Sequence, residues 1–381
     1  MAFPNLFHLM HPACMLPSGL GQLGIFPLDV LRLILLKAGG RTVRILSNGL
    51  KRLFDEANTS FSIVLFQSTS SSDASRLIAK VIGSSRALVS VSVKGAGFKY
   101  YTGCKFMSDF VPSLAFLKGL RTLILSGITM DTDGVKSLSQ VLTVLTGLRK
   151  LNLSVNRNGD IAAVSSLASS LMVLTGLRSL NLSDNNIGLN CSASLAVSLT
   201  ALTGLTTLKL PLNRIRLEGA ASLAPSFMEL TGLHTLDLRY NEIGPLGAAS
   251  LAPSLKLLAG LQTLKAAGNH FGPEGAASLA PSLMVLTGLH TLDLSDNNMG
   301  PSGAASLAPA LMMLTRLHTL NLDWNDFGSV GAASLAPSLM ILTELRSLDL
   351  SDNNIDTADA ALLTHSLMAL TGLTRLDFFA D

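Results

Sequence analysis

From Leu120 onward the chain repeats itself with a period of 28 residues, and a period that short leaves only architectures in which each unit is completed by its neighbours. The residue ahead of each unit's first leucine marks the register. These markers are Gly119, Gly147, Gly176, Gly204, Gly232, Gly260, Gly288, Arg316, Glu344 and Gly372, spaced by 28 except for one step of 29 between Gly147 and Gly176. Within a unit, Leu233-His234-Thr235-Leu236-Asp237-Leu238 alternates. Alternation puts Leu236 and Leu238 on one face of a strand and Thr235, Asp237 and Arg239 on the other. The GAASLAPSL stretch that follows changes to helical spacing, with Leu251, Leu255 and Leu258 on one stripe. Neither piece can bury its apolar face alone, so copies must stack, strands into a parallel sheet and helices outside it.

The L-x-x-L-x-L-x-x-N wording of Leu233 to Asn241 resembles the leucine-rich-repeat family, and the unit length is similar to its ribonuclease-inhibitor-like subclass. The resemblance implies an α/β solenoid: a horseshoe with an inner parallel β-sheet and outer helices, preceded by a small helical N-terminal segment, with its concave face open to a protein partner. The asparagine of each unit recurs as Asn156, Asn185, Asn213, Asn241, Asn269, Asn297, Asn325 and Asn353. An amide both donates and accepts, which suits it to satisfying backbone groups where the chain leaves the strand, so this row reads as structural. Pro225, Pro253, Pro281, Pro309 and Pro337 fall inside the helical stretch. Each removes a backbone donor and clashes with the preceding turn, which predicts helices that bend or begin late, in register from unit to unit.

Upstream, Ile63 and Leu65 lie 28 residues before Val91 and Val93, which lie 32 before Leu123 and Leu125, as though older copies had drifted. The chain divides on this reading into a tail (1–22), a helical segment (23–60) and a solenoid (61–381) of about twelve repeats. In the second part, Phe26-Pro27 opens an apolar-periodic stretch with Leu28, Leu31, Ile34 and Leu35 on adjoining positions, and Lys51-Arg52-Leu53-Phe54 closes it. This resembles an F-box, with departures: Phe26 stands for the usual leucine, the centre is basic and glycine-rich, and Leu53-Phe54 replaces a common tryptophan. The resemblance implies that Phe26, Pro27, Leu28, Leu31, Ile34 and Leu35 dock a ubiquitin-ligase adaptor. The simpler role is a cap over the first repeat's apolar face.

Several chemistries are set aside. Residues 1–110 hold 12 Lys/Arg against 5 Asp/Glu, and 111–381 hold 16 against 20, so there is no dense basic face with interleaved aromatics for nucleic acid. Cys14, Cys104 and Cys191 are odd in number and widely spaced, which fits a reducing compartment, cytoplasmic or nuclear. The N-terminus lacks the basic and apolar regions of a secretory signal, and Gly24 to Leu36, broken by Asp29 and Arg32, is too short to span a bilayer. Gly19-Leu20-Gly21-Gln22-Leu23-Gly24 spells a dinucleotide fingerprint without the strand or the later carboxylate that it needs. His8, His11 and Cys14 have ligand spacing but no second close pair. His234, His290 and His318 recur at one repeat position with no nucleophile beside them. No catalytic residue, cofactor or metal is expected.

The repeats act as an internal control for a binding surface, because departures on the open sheet face have no stacking reason. Against a background of Ser, Asn and Asp, they gather between Lys209 and Trp324. Lys209, Arg239, Tyr240, Lys265, Asp293, Asp323 and Trp324 are the candidate partner site, basic toward the N-terminal side and acidic toward the C-terminal side; Trp324 is the only tryptophan. The expected function is a non-catalytic interaction module, in its sharper form the substrate receptor of a cullin-based ubiquitin ligase. Alternatives are a GTPase activator, since IGPxGAASLAPSL resembles the repeats of the Ran GTPase-activating protein, and a plain scaffold or inhibitor.

Overall fold

The computed structural model describes residues 32–34, 60–65, 88–95 and 110–378, the last range without 129, 131 and 157–160. Among the described residues, thirteen parallel strands form one open sheet in strict chain order. They are β1 (Arg32–Ile34), β2 (Ser60–Leu65), β3 (Ser90–Gly95), β4 (Thr122–Ser126), β5 (Lys150–Asn152), β6 (Ser179–Asn181), β7 (Thr207–Lys209), β8 (Thr235–Asp237), β9 (Thr263–Lys265), β10 (Thr291–Asp293), β11 (Thr319–Asn321), β12 (Ser347–Asp349) and β13 (Arg375–Asp377). An α-helix follows each strand from β4 to β12, the first spanning Thr132–Leu142 and the last Thr357–Ala369.

Constant spacing becomes constant register. Leu208, Leu236, Leu264, Leu292, Leu320 and Leu348 pair in turn across six strands and are at most 2% exposed. A buried leucine contributes about 2 kcal/mol relative to an exposed one, and a unit adds several, such as Leu233, Leu236, Leu238, Leu251 and Leu258. The threonine and aspartate lanes lie on the opposite face of the sheet. At the helix layer, a Cβ added to Gly247 would lie 3.4 Å from the Cα of Leu217 and 3.5 Å from the Cβ of Ala220 in the preceding helix, so small residues do permit close stacking there.

The asparagine row is a buried ladder. Asn213 Nδ2 donates to the carbonyls of Leu182 and Leu210, both at 2.9 Å, while its Oδ1 accepts from the backbone N–H of Asn185 at 2.9 Å. Asn241, Asn269, Asn297 and Asn325 repeat the pattern, each tying its own turn to that of the preceding unit.

Three expectations need correction. The proline helices do not begin late: the helix Gly244–Leu255 starts nine residues ahead of Pro253 and continues through it, and the helices holding Pro225, Pro281, Pro309 and Pro337 do the same. Each proline sits in or next to the last turn, so the lost bond and the clash with the carbonyl four residues back have at most about one turn of helix beyond the proline to disturb.

Second, Arg32–Ile34 is a strand paired with β2, not the middle of a helix through Leu28 and Leu35. A short apolar run such as Leu31 to Leu36 does not distinguish strand from helix by period, and an adjacent strand supplied the backbone partners. The sheet therefore starts before residue 61 and has one strand more than twelve. Of the other F-box-like residues, Phe26, Pro27, Leu28, Leu31 and Leu35 lie outside the described residues, as do the Gly19–Gly24 motif and His8, His11 and Cys14.

Third, Phe61 and Ile63 are the partners of Val91 and Val93, a step of 30 residues rather than 28. A two-residue slip preserves the faces, which is why the alternation was still read correctly.

Candidate partner-binding face

The sheet face opposite the leucine core carries the lanes of Thr235, Asp237 and Arg239. Cross-strand neighbours Lys209, Asp237, Lys265 and Asp293 follow one another on β7 to β10 with alternating sign. Lys209, Arg239 and Lys265 share a groove of about 410 Å³ with Asp237 and four threonines, Thr235, Thr263, Thr291 and Thr319. Asp237 is 3% exposed and does not offer its charge outward. Arg239 clasps it, Nε to Oδ1 at 3.0 Å and Nη2 to Oδ2 at 2.9 Å. That hydrogen-bonded pairing holds the Arg239 guanidinium above its ordinary pKa against the opposing effect of burial. The groove's outward charge is thus left to Lys209 and Lys265.

The C-terminal half is acidic and less well compensated. Asp349 is held by the N–H and hydroxyl of Ser351, and Asp293 by the hydroxyl of Ser295 at 2.8 Å. Asp323 has its Oδ1 buried without any hydrogen-bond partner. Burial, and then the charge of Asp349, push the Asp323 carboxyl up to about 6; a hydrogen bond from Ser295 opposes them, but its single proton also serves Asp293. Among the described residues, no ion pair reaches Asp293, Asp323 or Asp349.

Tyr240 and Trp324 stand at the rim, where strand gives way to loop. The loop needs left-handed backbone at alternate residues, met in one unit by Asp296, Asn298 and Gly300 at φ 52°, 52° and 61°. Asn, Asp and Gly tolerate that region, and bulkier side chains cost about 1–2 kcal/mol there. Yet Leu212, Tyr240 and Trp324 occupy the Asp296 position at φ 59°, 55° and 52°. They are 52%, 47% and 59% exposed, so no core packing repays the strain. Backbone bonds to the next unit hold the conformation, from Tyr240 N–H to the Ala267 carbonyl at 2.7 Å and from Trp324 N–H to the Ser351 carbonyl at 3.1 Å.

Gly268 explains the pose of Tyr240. At φ +64° it lies beneath the ring, and a Cβ there would come within 2.2 Å of Tyr240 Cδ1. The Ala267-Gly268 departure on β9's loop is therefore a notch cut for the tyrosine.

The structure brings Lys209, Arg239 and Lys265 together in one groove and leaves Asp293, Asp323, Tyr240 and Trp324 outside its lining. Leu212, adjacent to Tyr240 in the preceding unit, was missing from the candidate set although its lane position was visible. The signal that finds it, left-handed backbone under an exposed apolar side chain, also picks out Val155, at φ 61° and 42% exposed, ahead of the groove. The histidine row holds no reactive pair: His290 and His318 stack at 5.1 Å, and His318 Nε2 is 4.0 Å from Glu344. Among the described residues, there is no group of three or more potential metal ligands and no helix long and apolar enough to cross a membrane.

Comparison with known proteins is consistent with this geometry. The profile of the Leucine Rich repeat family matches residues 174–190, 230–252, 286–308, 314–336 and 342–363. Solved structures that resemble the chain include an internalin from Listeria monocytogenes, with 18% identity, 88% of this chain and 95% of that chain covered, and a TM-score of 0.46. A leucine-rich-repeat protein from Leptospira interrogans has the same identity and TM-score, over 78% of this chain and 80% of its own. No curated protein matches. With five units matched by that profile, and leucines and asparagines at the same positions in the units between them, residues 174–363 of the chain are built of leucine-rich repeats.

Proposed function

We propose that this chain is a non-catalytic recognition module that holds a protein partner on the concave sheet face between Lys209 and Trp324. The observation that carries this reading is the placement of Leu212, Tyr240 and Trp324: large apolar side chains, exposed, on left-handed backbone that sister units give to Asp184, Asp296 and Asp352. Strain that no core packing repays supports a use at the surface. Aromatic anchors in this setting are the residue types that dominate interfaces. Affinity capture of partners from the native cell tests it. Tyr240→Ala with Trp324→Ala lowers recovery at least about tenfold if each anchor contributes about 1 kcal/mol or more; unchanged recovery of every partner removes the proposal.

The finer role as a cullin-ligase substrate receptor rests on the wording of Phe26 to Phe54. Its test is co-purification with the ligase adaptor and loss of that adaptor on Pro27→Ala plus Leu31→Ala. Stimulation of Ran GTP hydrolysis would instead favour the activator reading suggested by the GAASLAPSL units.

A further inference from the structure

The concave face is ordered by charge along its length as well as by apolar contact. On β7 and β9, Lys209 and Lys265 project from either side of Asp237, whose carboxylate is already spent on Arg239. From β10 onward Asp293, Asp323 and Asp349 follow without a bridging cation among the described residues, and Asp323 Oδ1 is buried without a hydrogen-bond partner. Leu212 and Tyr240 flank the cationic end and Trp324 the acidic one.

We infer that the occupant of this face is an extended polypeptide segment that is itself bipolar. Its carboxylates lie over Lys209 and Lys265, an apolar side chain rests against Leu212 and Tyr240, and an arginine or lysine reaches Asp293 and Asp323. This rests on the recognition role proposed above and adds the chemistry and direction of the bound segment. Spacing sets its length. Asp237, midway between the lysines, is three strands from the β11 loop that holds Asp323, roughly 14 Å at about 4.8 Å per strand. At about 3.3 Å per extended residue, four or five residues separate the partner's acidic and basic groups. The reverse orientation sets like charges against each other at both ends, so charge order selects one direction along the arc. Phosphate-rich polymers meet Lys209 and Lys265 in this stretch and are repelled by the aspartates beside them.

Panning the intact chain against a phage library of random dodecapeptides tests the inference. Recovered peptides should be enriched for an acidic cluster and a basic cluster four or five residues apart, in one order. The variant Lys209→Glu, Lys265→Glu, with native circular dichroism, should lose those peptides by about tenfold or more and recover uniformly basic ones instead. Enrichment of no peptide, or of peptides without charge order, overturns the inference. If disordered-charge peptides are still lost on Tyr240→Ala with Trp324→Ala, the recognition face survives and only the bipolar occupant falls. If neither charge reversal nor aromatic truncation changes recovery, both fall together.

Discussion

Asp323 keeps one carboxylate oxygen buried without a hydrogen-bond partner, and burial, with the charge of Asp349, raises its pKa against the help of Ser295. The sign follows directly. The folded chain holds this proton up to about pH 6 and the unfolded chain releases it near 4, so stability falls as pH rises between those values and the deficit is complete above 6. Asp323→Asn should therefore stabilise the protein at pH 7.5 by about 1 kcal/mol after allowance for solvent screening, with the gain fading at pH 4. Urea denaturation at the two pH values measures it, and an equal effect at both would contradict the assignment. A second residue-scale expectation concerns strain. Trp324→Asn relieves the left-handed penalty and should raise stability by about 1 kcal/mol while weakening partner capture. The deviation of Tyr240, Asp323 and Trp324 from their sister units was legible in the sequence because the repeats supply the comparison. The withdrawal of Asp237 and Arg239 into a mutual pair was not, since it depends on two side chains meeting two residues apart on one strand end.

At the scale of elements, strands and helices were legible wherever a unit kept its spacing, and failed where a local rule met a tertiary one. β1 is the clearest case: an apolar run reads as helix or strand, and pairing with β2 decided it. The late start expected from the prolines failed differently, because their cost depends on position in the helix and all five lie near its end. The loop entering the helix Arg216–Glu229 gives a further test. Arg216, at φ 59°, stands where Gly188, Gly244, Gly272, Gly300 and Gly328 hold the left-handed position. Its exposed bridge to Glu242 at 3.0 Å contributes at most about 1 kcal/mol and the conformation costs about 1–2. Arg216→Gly is thus expected to be neutral to stabilising, by up to about 1 kcal/mol in denaturant titration. A loss of more than that would mean the bridge outweighs the backbone term.

Over the whole molecule, stability passes from neighbour to neighbour through the asparagine ladder and the stacked leucines. Asn241→Ala removes donors to Leu210, Leu238 and Arg239 and the acceptor for the Asn213 N–H, stranding several buried groups at about 1–3 kcal/mol each. Hydrogen exchange should then accelerate in the units on both sides of β8. Asn353→Ala, one unit from the last described strand, should loosen mainly the end. Equal, chain-wide acceleration in both variants would show a single cooperative block instead.

Identical register also makes the molecule a ruler with removable graduations. Excising residues 265–292 joins Leu264 to Asp293 and restores an unbroken unit, with the same strand wording, asparagine and helix. The remaining coil would close ranks, and Trp324 would move toward Tyr240 by one strand spacing, about 4.8 Å. A ligand measured against the original span would then be too long by between one and two residues.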